Sequence, residues 1–237
     1  MSTKAMRRTP RPLILLLATL ALAGCKKAEE APSFPAPDRP VAKIVSSRWS
    51  TEEARDRVNE AETVMDRVGV KPGMTIADIG AGEGYYTIRL ASRVGDHGRV
   101  LAEDIVPEVR DKLAERVNRD ALDNVSVRLG EPADPKLPEN SFDRIFMVHM
   151  YHEVAQPYEF LWRMRPSLKA GGRVIVVDAD RPTEKHGTPS ALLRCEFAAV
   201  GYKLVESQPL PSVEGYIAQF EAVGPRPTPA KIRACRL

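Results

Sequence analysis

Cysteine is scarce in this sequence, with 3 in 237 residues. Cys25, Cys195 and Cys235 are too far apart for a cysteine zinc site, and no arsenic-type cysteine set is present. A bilayer-spanning run is missing too. The N-terminal apolar stretch, Leu13 to Ala23, holds eleven residues, against the roughly 20 that a membrane helix needs. Positive charge is also in short supply once its location is considered. The chain carries +3 overall, but Lys4, Arg7, Arg8 and Arg11 lie ahead of the apolar stretch with no acid among them, so residues 25–237 carry −1. No basic stripe is left to hold a phosphate backbone, which argues against a nucleic-acid partner. Internal repeats are absent as well. What remains is 43% hydrophobic, enough for one core and one globular domain.

The basic and apolar regions close on Leu22-Ala23-Gly24-Cys25, the order of a secretory leader. This ending resembles a bacterial lipobox. The resemblance implies a signal peptide over residues 1–24, with Cys25 acylated as the new N-terminus. Lys26 stands where an aspartate would favour the inner membrane, so the expectation is a lipid-anchored protein on the periplasmic side of the cell envelope, with the outer membrane favoured. Residues 25–48, with Pro32, Pro35, Pro37 and Pro40, read as a proline-rich tether. Extended as polyproline II at about 3.1 Å per residue, it would reach roughly 70 Å. Cys195 falls in a predicted helix and Cys235 in the predicted tail of residues 224–237, so two unpaired thiols are expected, although an oxidising compartment permits a bridge.

Between residues 49 and 223 the pattern is that of one α/β domain. Ser50, with Glu53 three residues on, predicts a capped helix running to Val68. Strands are predicted at Met74–Ile79, Arg99–Asp104, Val125–Leu129, Phe142–Val148 and Gly172–Asp178. Helices are predicted at Gly84–Val94, Pro107–Arg119, Pro157–Leu168 and Pro189–Val200. Apolar strands alternating with helices imply a parallel sheet covered on both faces. Tyr202–Glu206 and Tyr216–Ala222 lack a helix between them and predict an antiparallel hairpin. The expected fold is a Rossmann-like, doubly wound, mostly parallel seven-stranded sheet that closes on this hairpin.

The first strand runs into Asp78-Ile79-Gly80-Ala81-Gly82-Glu83-Gly84-Tyr85, a glycine turn that opens a helix. Such a turn brings backbone N–H groups and a helix N-terminus close to a ligand. In an open α/β sheet this is also where ligands bind. Dinucleotides and S-adenosylmethionine compete as occupants. The dinucleotide fingerprint needs its third glycine at position 85, which is tyrosine, so a nicotinamide oxidoreductase is disfavoured. Asp104, ending the second strand, suits a ribose in either case.

The stretch Ala77–Tyr85 resembles motif I of class I S-adenosylmethionine-dependent methyltransferases. Four further segments resemble that family's later strand signatures in order: Gly98–Ile105, Asn124–Glu131, Ser141–Ile145 and Leu168–Arg173. The resemblance implies S-adenosylmethionine as cofactor, with Gly80, Gly82, Gly84 and Asp78 around its methionine portion. It also implies Asp104 on the ribose and Glu131 on the adenine. The Glu131–Pro135 loop is longer than the family's, which leaves Asp134 as an alternative to Glu131. Asp78 has a second reading, as a carboxylate that only bonds loop N–H groups.

His149-Met150-Tyr151-His152-Glu153 leaves the fourth strand on the expected acceptor side. His149 or His152 is read as general base, Glu153 as the residue orienting it, and Tyr151 as part of the acceptor pocket. His186 is expected at the same edge. The same histidines and Glu153, with Asp178 or Asp180, have the residue types of a divalent metal site, and a structural hydrogen-bond cluster is the third reading. The order HxxHE matches no zinc signature, so no metal is assigned. The functional expectation is methyl transfer to a small-molecule acceptor. The alternative is a membrane-tethered binding module that keeps the fold without turnover, because S-adenosylmethionine is made in the cytosol.

Overall fold

The computed structural model describes residues 33–44 and 51–236 together with Met1. The leader, Cys25 and Ser50 lie outside the described residues.

Seven strands form one sheet in the order β3-β2-β1-β4-β5-β7-β6. They are β1 (Thr75–Ile79), β2 (Arg99–Asp104), β3 (Val125–Leu129), β4 (Phe142–Val148), β5 (Leu168–Ala179), β6 (Tyr202–Leu210) and β7 (Gly215–Ala222). The first five are parallel, and β7 runs antiparallel to both β5 and β6. This is the doubly wound sheet with a closing hairpin that the alternation predicts. The strand order reverses between β1 and β4, so their carboxyl ends flank the crevice where a ligand site forms.

Along β5 the residues alternate between two cores, as the period of a strand requires. Val174 and Val176 pack with Ile145, Met147 and Phe160 on one face. Ile175 and Val177 pack with Ile76, Phe146 and Leu90 on the other. Both faces are covered by helices: α1 (Glu52–Arg57), α2 (Glu60–Arg67), α3 (Tyr85–Val94), α4 (Pro107–Arg119), α5 (Pro157–Met164) and α6 (Ser190–Ala199). α3 buries Tyr86, Leu90, Ala91 and Val94 at helical spacing. Pro107 starts α4, where its missing N–H costs no bond.

The predicted helix from Ser50 to Val68 is two helices. Asn59 adopts a left-handed φ of 51° and breaks it, and Thr51 caps the first, accepting the Ala54 amide at 3.2 Å. The Pro157–Leu168 helix ends at Met164. A 3₁₀ turn containing Pro166 follows, because proline removes a donor that the helix would need.

Both ends of the described chain depart from the sequence reading. Residues of the expected tether pack on the domain: Phe34 meets the edge of Trp162, Arg39 forms a buried ion pair with Glu196 at 3.0 Å, and the Ala42 amide donates to the His152 carbonyl at 3.1 Å. A composition rich in proline excludes helix but not docking in extended form. At the other end Cys195 and Cys235 form a disulfide, correcting the expected pair of thiols. The bridge is possible because residues 224–236 fold back on α5 and α6: the Pro227 carbonyl accepts from Trp162 Nε1 and the Cys235 amide donates to Tyr158. Among the described residues no helix is long and apolar enough to cross a membrane.

Candidate functional site

A cavity of about 1010 Å³ opens at the carboxyl ends of β1, β2, β4 and β5. It is large enough for a nucleoside cofactor and a small second molecule. Gly80 and Gly82 line it, with left-handed φ values of 65° and 56° that glycine adopts without a steric cost. A side chain at Gly80 would meet Met150, whereas the space beyond Gly82 is open. The backbone therefore approaches the cavity closely along this turn.

Asp104 and Glu103 stand beside the turn, both buried and both on the cavity wall. The Asp104 carboxylate accepts the Gly82 amide at 3.0 Å and the Val106 amide at 2.9 Å. Each oxygen thus holds one loop in place and retains capacity for a second donor. Glu103 is different, since its Oε1 is buried with no hydrogen-bond partner. Burial, together with the charge of Asp104, pushes the Glu103 carboxyl up to about 8. That oxygen lies against Gly130, where any side chain would meet it. The glycine turn and a carboxylate fixed by two amides fit the ribose end of S-adenosylmethionine.

The raised Glu103 group has a consequence for stability. Its ordinary value is 4.5, so between about pH 4.5 and 8 the folded chain binds a proton that the unfolded chain has released. The stabilisation is complete below 4.5 and is lost as pH rises through 8. In the cofactor-free protein Glu103→Gln is expected to remove a loss on the order of a few kcal/mol on this limb, since each pKa unit carries about 1.4 kcal/mol. Melting curves at pH 5 and pH 8.5 check this. An unchanged fall in Tm in the variant would mean that Glu103 does not carry the effect.

Two histidine–carboxylate pairs stand at the cavity, whose wall includes His149, Glu60 and His152. His149 follows β4 in a left-handed conformation, and its Nε2 lies 3.2 Å from Glu60 Oε1. Burial alone would raise Glu60, but hydrogen bonds from His149 and Arg55 outweigh it and hold the carboxyl at about 2. An ionised carboxylate only accepts, so His149 carries its proton on Nε2 and keeps Nδ1 as the basic nitrogen. His152 is buried, with Nδ1 3.0 Å from Asp178 Oδ2. That carboxylate also accepts from the Ala179 amide and the Thr188 hydroxyl. By the same argument His152 keeps Nε2. Glu60 and Asp178 are thus placed to orient the two rings, and Glu153 lies on the cavity wall beside His152 and His186.

Several expected site residues lie away from the cavity. Tyr151 is fully buried, donates to Glu196 at 2.7 Å and packs against Phe197. It is a core residue because the 3₁₀ turn Tyr151–Glu153 points it inward. Asp78 is also buried and accepts the Thr87 hydroxyl at 2.6 Å, tying β1 to α3, and burial raises it to about 6. Gly84 caps α3 with its Cα against Leu113, so it serves packing. Glu131 and Asp134 are bridged to Lys136 at 3.2 and 3.4 Å. Neither lines the cavity, where Pro132 and Ile105 stand instead.

The residues that sequence reading missed come from α1, α2 and β2. Arg55 lies over the Tyr85 ring at 3.8 Å and pairs with Glu60 at 2.7 Å. Only the period of a surface helix marks these positions, and a charged residue on such a helix ordinarily faces water. Glu103 carried a signal, standing next to Asp104 in a strand whose other acids are absent.

Residues 77–176 match a family profile described as a methyltransferase domain. The match spans β1 to β5, the strands that carry the glycine turn, Asp104 and His149. Nocamycin O-methyltransferase of Saccharothrix syringae is 44% identical over 84 residues, 35% of this chain and 30% of that protein. Arsenite methyltransferase of Halobacterium salinarum is 27% identical over 170 residues, 64% of this chain and 43% of that protein. The alignments thus span less than half the length of these curated relatives. Among solved structures, a SAM-dependent methyltransferase from Aquifex aeolicus superposes with a TM-score of 0.64 at 25% identity, covering 70% of this chain and 91% of that one. The sheet is the α/β methyltransferase fold, and the cofactor that such a domain implies is S-adenosylmethionine.

Proposed function

We propose that this chain transfers a methyl group from S-adenosylmethionine to a small-molecule acceptor at the cell envelope. One observation carries the reading: the glycine turn, the Glu103–Asp104 carboxylates and the His149–Glu60 pair line the same cavity. Gly80, Gly82, Glu103 and Asp104 would hold the cofactor, which supplies a methyl carbon activated by its sulfonium. The chain's own work is alignment, exclusion of water and acceptance of one proton. His149 Nδ1 takes that proton from the acceptor O–H or N–H, and ionised Glu60 stabilises the imidazolium that results. α1 and α2 cover this end with Arg55 and Glu60.

A small acceptor is favoured because the named relatives carry small molecules in their names. Incubating the purified full-length chain with methyl-labelled S-adenosylmethionine and an envelope extract tests the proposal. Label in the small-molecule fraction is expected. Label confined to protein or nucleic acid would overturn the acceptor class.

The location rests on the lipobox-like Leu22–Cys25 and is supported by the Cys195–Cys235 bridge, since disulfides persist in oxidising compartments. With residues 34–42 docked, eight residues separate Cys25 from Phe34. Extended as polyproline II at about 3.1 Å per residue, that segment would reach about 25 Å rather than roughly 70 Å. Cys25→Ser is expected to abolish the lipid mass increment and release the chain from membranes. A variant that stays membrane-bound at the wild-type mass removes the lipid reading.

A further inference from the structure

Three side chains at the acceptor end of the cavity bring metal-binding atoms together: His152, Glu153 and His186 each place one such atom within 4.8 Å of the others. Ligands around a shared ion at about 2.1 Å stand roughly 3–4 Å apart, so closing on an ion asks for side-chain movements of under about 1 Å. The scaffold around the three is already fixed. Asp178 holds His152 Nδ1, which leaves Nε2 as its donor nitrogen, the carboxylate–histidine arrangement that orients metal ligands in general. His186 stands on the loop after β5, and four bonds brace that loop. The Thr188 amide donates to the Ala179 carbonyl at 2.9 Å, the Arg181 amide donates to the same carbonyl at 3.0 Å, and the Arg181 guanidinium donates to the His186 carbonyl. The His152 and His186 rings meet edge to face at 5.4 Å. The N-terminal strap braces both sides, with Ala42 bonded to the His152 carbonyl and the Thr183 hydroxyl bonded to Pro40.

We propose that His152 Nε2, a Glu153 carboxylate oxygen and a His186 ring nitrogen bind one divalent transition-metal ion of the zinc class, with its remaining positions open to the cavity. Two imidazoles and one carboxylate favour zinc, iron, cobalt or nickel over calcium and magnesium, which prefer all-oxygen shells. Three protein ligands leave room for an exogenous oxygen, as in catalytic rather than structural sites. His149 is outside the set, because its Nε2 is committed to Glu60. A metal at this place would bind an oxygen of the acceptor and ease loss of its proton toward His149 Nδ1. That use rests on the proposed methyl transfer, whereas the site itself rests only on the geometry of the three side chains.

The test is metal binding by the untagged, purified full-length chain after chelator treatment. Equilibrium dialysis against Zn²⁺ is expected to return one ion per chain. Titration with Co²⁺ is expected to give visible d–d absorption that Zn²⁺ displaces. Glu153→Gln and His186→Asn should each weaken Zn²⁺ binding by about 100-fold or more, while His149→Asn should leave it unchanged, with melting curves confirming that all three variants fold. A wild-type chain holding no stoichiometric zinc, or a folded His186→Asn variant that binds as tightly as wild type, overturns the site. A chain that binds zinc but not S-adenosylmethionine would keep the metal site and remove the methyltransferase reading, so the two failures are distinct.

Discussion

Asp104→Ala is expected to weaken S-adenosylmethionine binding by about 100-fold or more. Hydrogen bonds to an ionised carboxylate contribute roughly 1.5–3 kcal/mol each, and two ribose hydroxyls on Asp104 would make its removal worth on the order of 3–4 kcal/mol, which is 100- to 1000-fold. A second effect acts in the same direction. The Gly82 and Val106 amides both donate to this carboxylate, so its loss also releases the turn that the cofactor would lie against. Asp104→Asn separates the two contributions, because an asparagine oxygen can still accept one amide while the charge is gone. Its affinity should fall between wild type and the alanine variant. Calorimetry on folded variants measures this, and an alanine variant with wild-type affinity would place the ribose elsewhere, with Glu103 the next candidate.

His149→Asn should lower the rate of methyl transfer by about 10²- to 10⁴-fold, the usual contribution of a positioned base, while leaving cofactor affinity near wild type. Asparagine is the substitution to use because position 149 has a φ of 54°, a conformation that asparagine tolerates better than alanine. Its amide overlays Nδ1 rather than Nε2, so Glu60 loses this partner and keeps Arg55. A merely structural His149 would move stability and affinity together. A loss confined to turnover identifies a proton acceptor, and a variant with wild-type turnover would transfer that role or show that the acceptor keeps its proton.

The elements that sequence reading located best are those in which local preference and tertiary demand agree. β2, β3 and β4 and helix α4 lie between the predicted residues, since apolar runs bounded by glycine, asparagine or proline leave the chain few alternatives. The helix over residues 50–68 was misread because nothing in its helical spacing marks the left-handed turn at Asn59. That turn matters for function, since it starts α2 at Glu60 and brings this carboxylate beneath His149. The glycine turn at the cavity was legible because glycines at φ near +60° leave a mark in the sequence. The opposite wall reads in the sequence only as a list of polar residues. The contacts of His149 and His152 are with Glu60 and Asp178, 89 and 26 residues away in the chain, a separation that no local pattern records. Tyr151 is expected in the acceptor pocket because it follows the fourth strand, and a 3₁₀ turn points it into the core instead. The disulfide was missed for a related reason: Cys235 looked like part of a loose tail until Ile232 and Cys235 proved to be buried against the domain.

The account stands most directly on one titration, S-adenosylmethionine into the purified full-length wild-type chain followed by calorimetry. One equivalent binding with a dissociation constant in the micromolar range (about −8 kcal/mol) is the predicted result. Absence of binding heat up to millimolar cofactor, from a chain shown by its melting curve to be folded, would contradict the account.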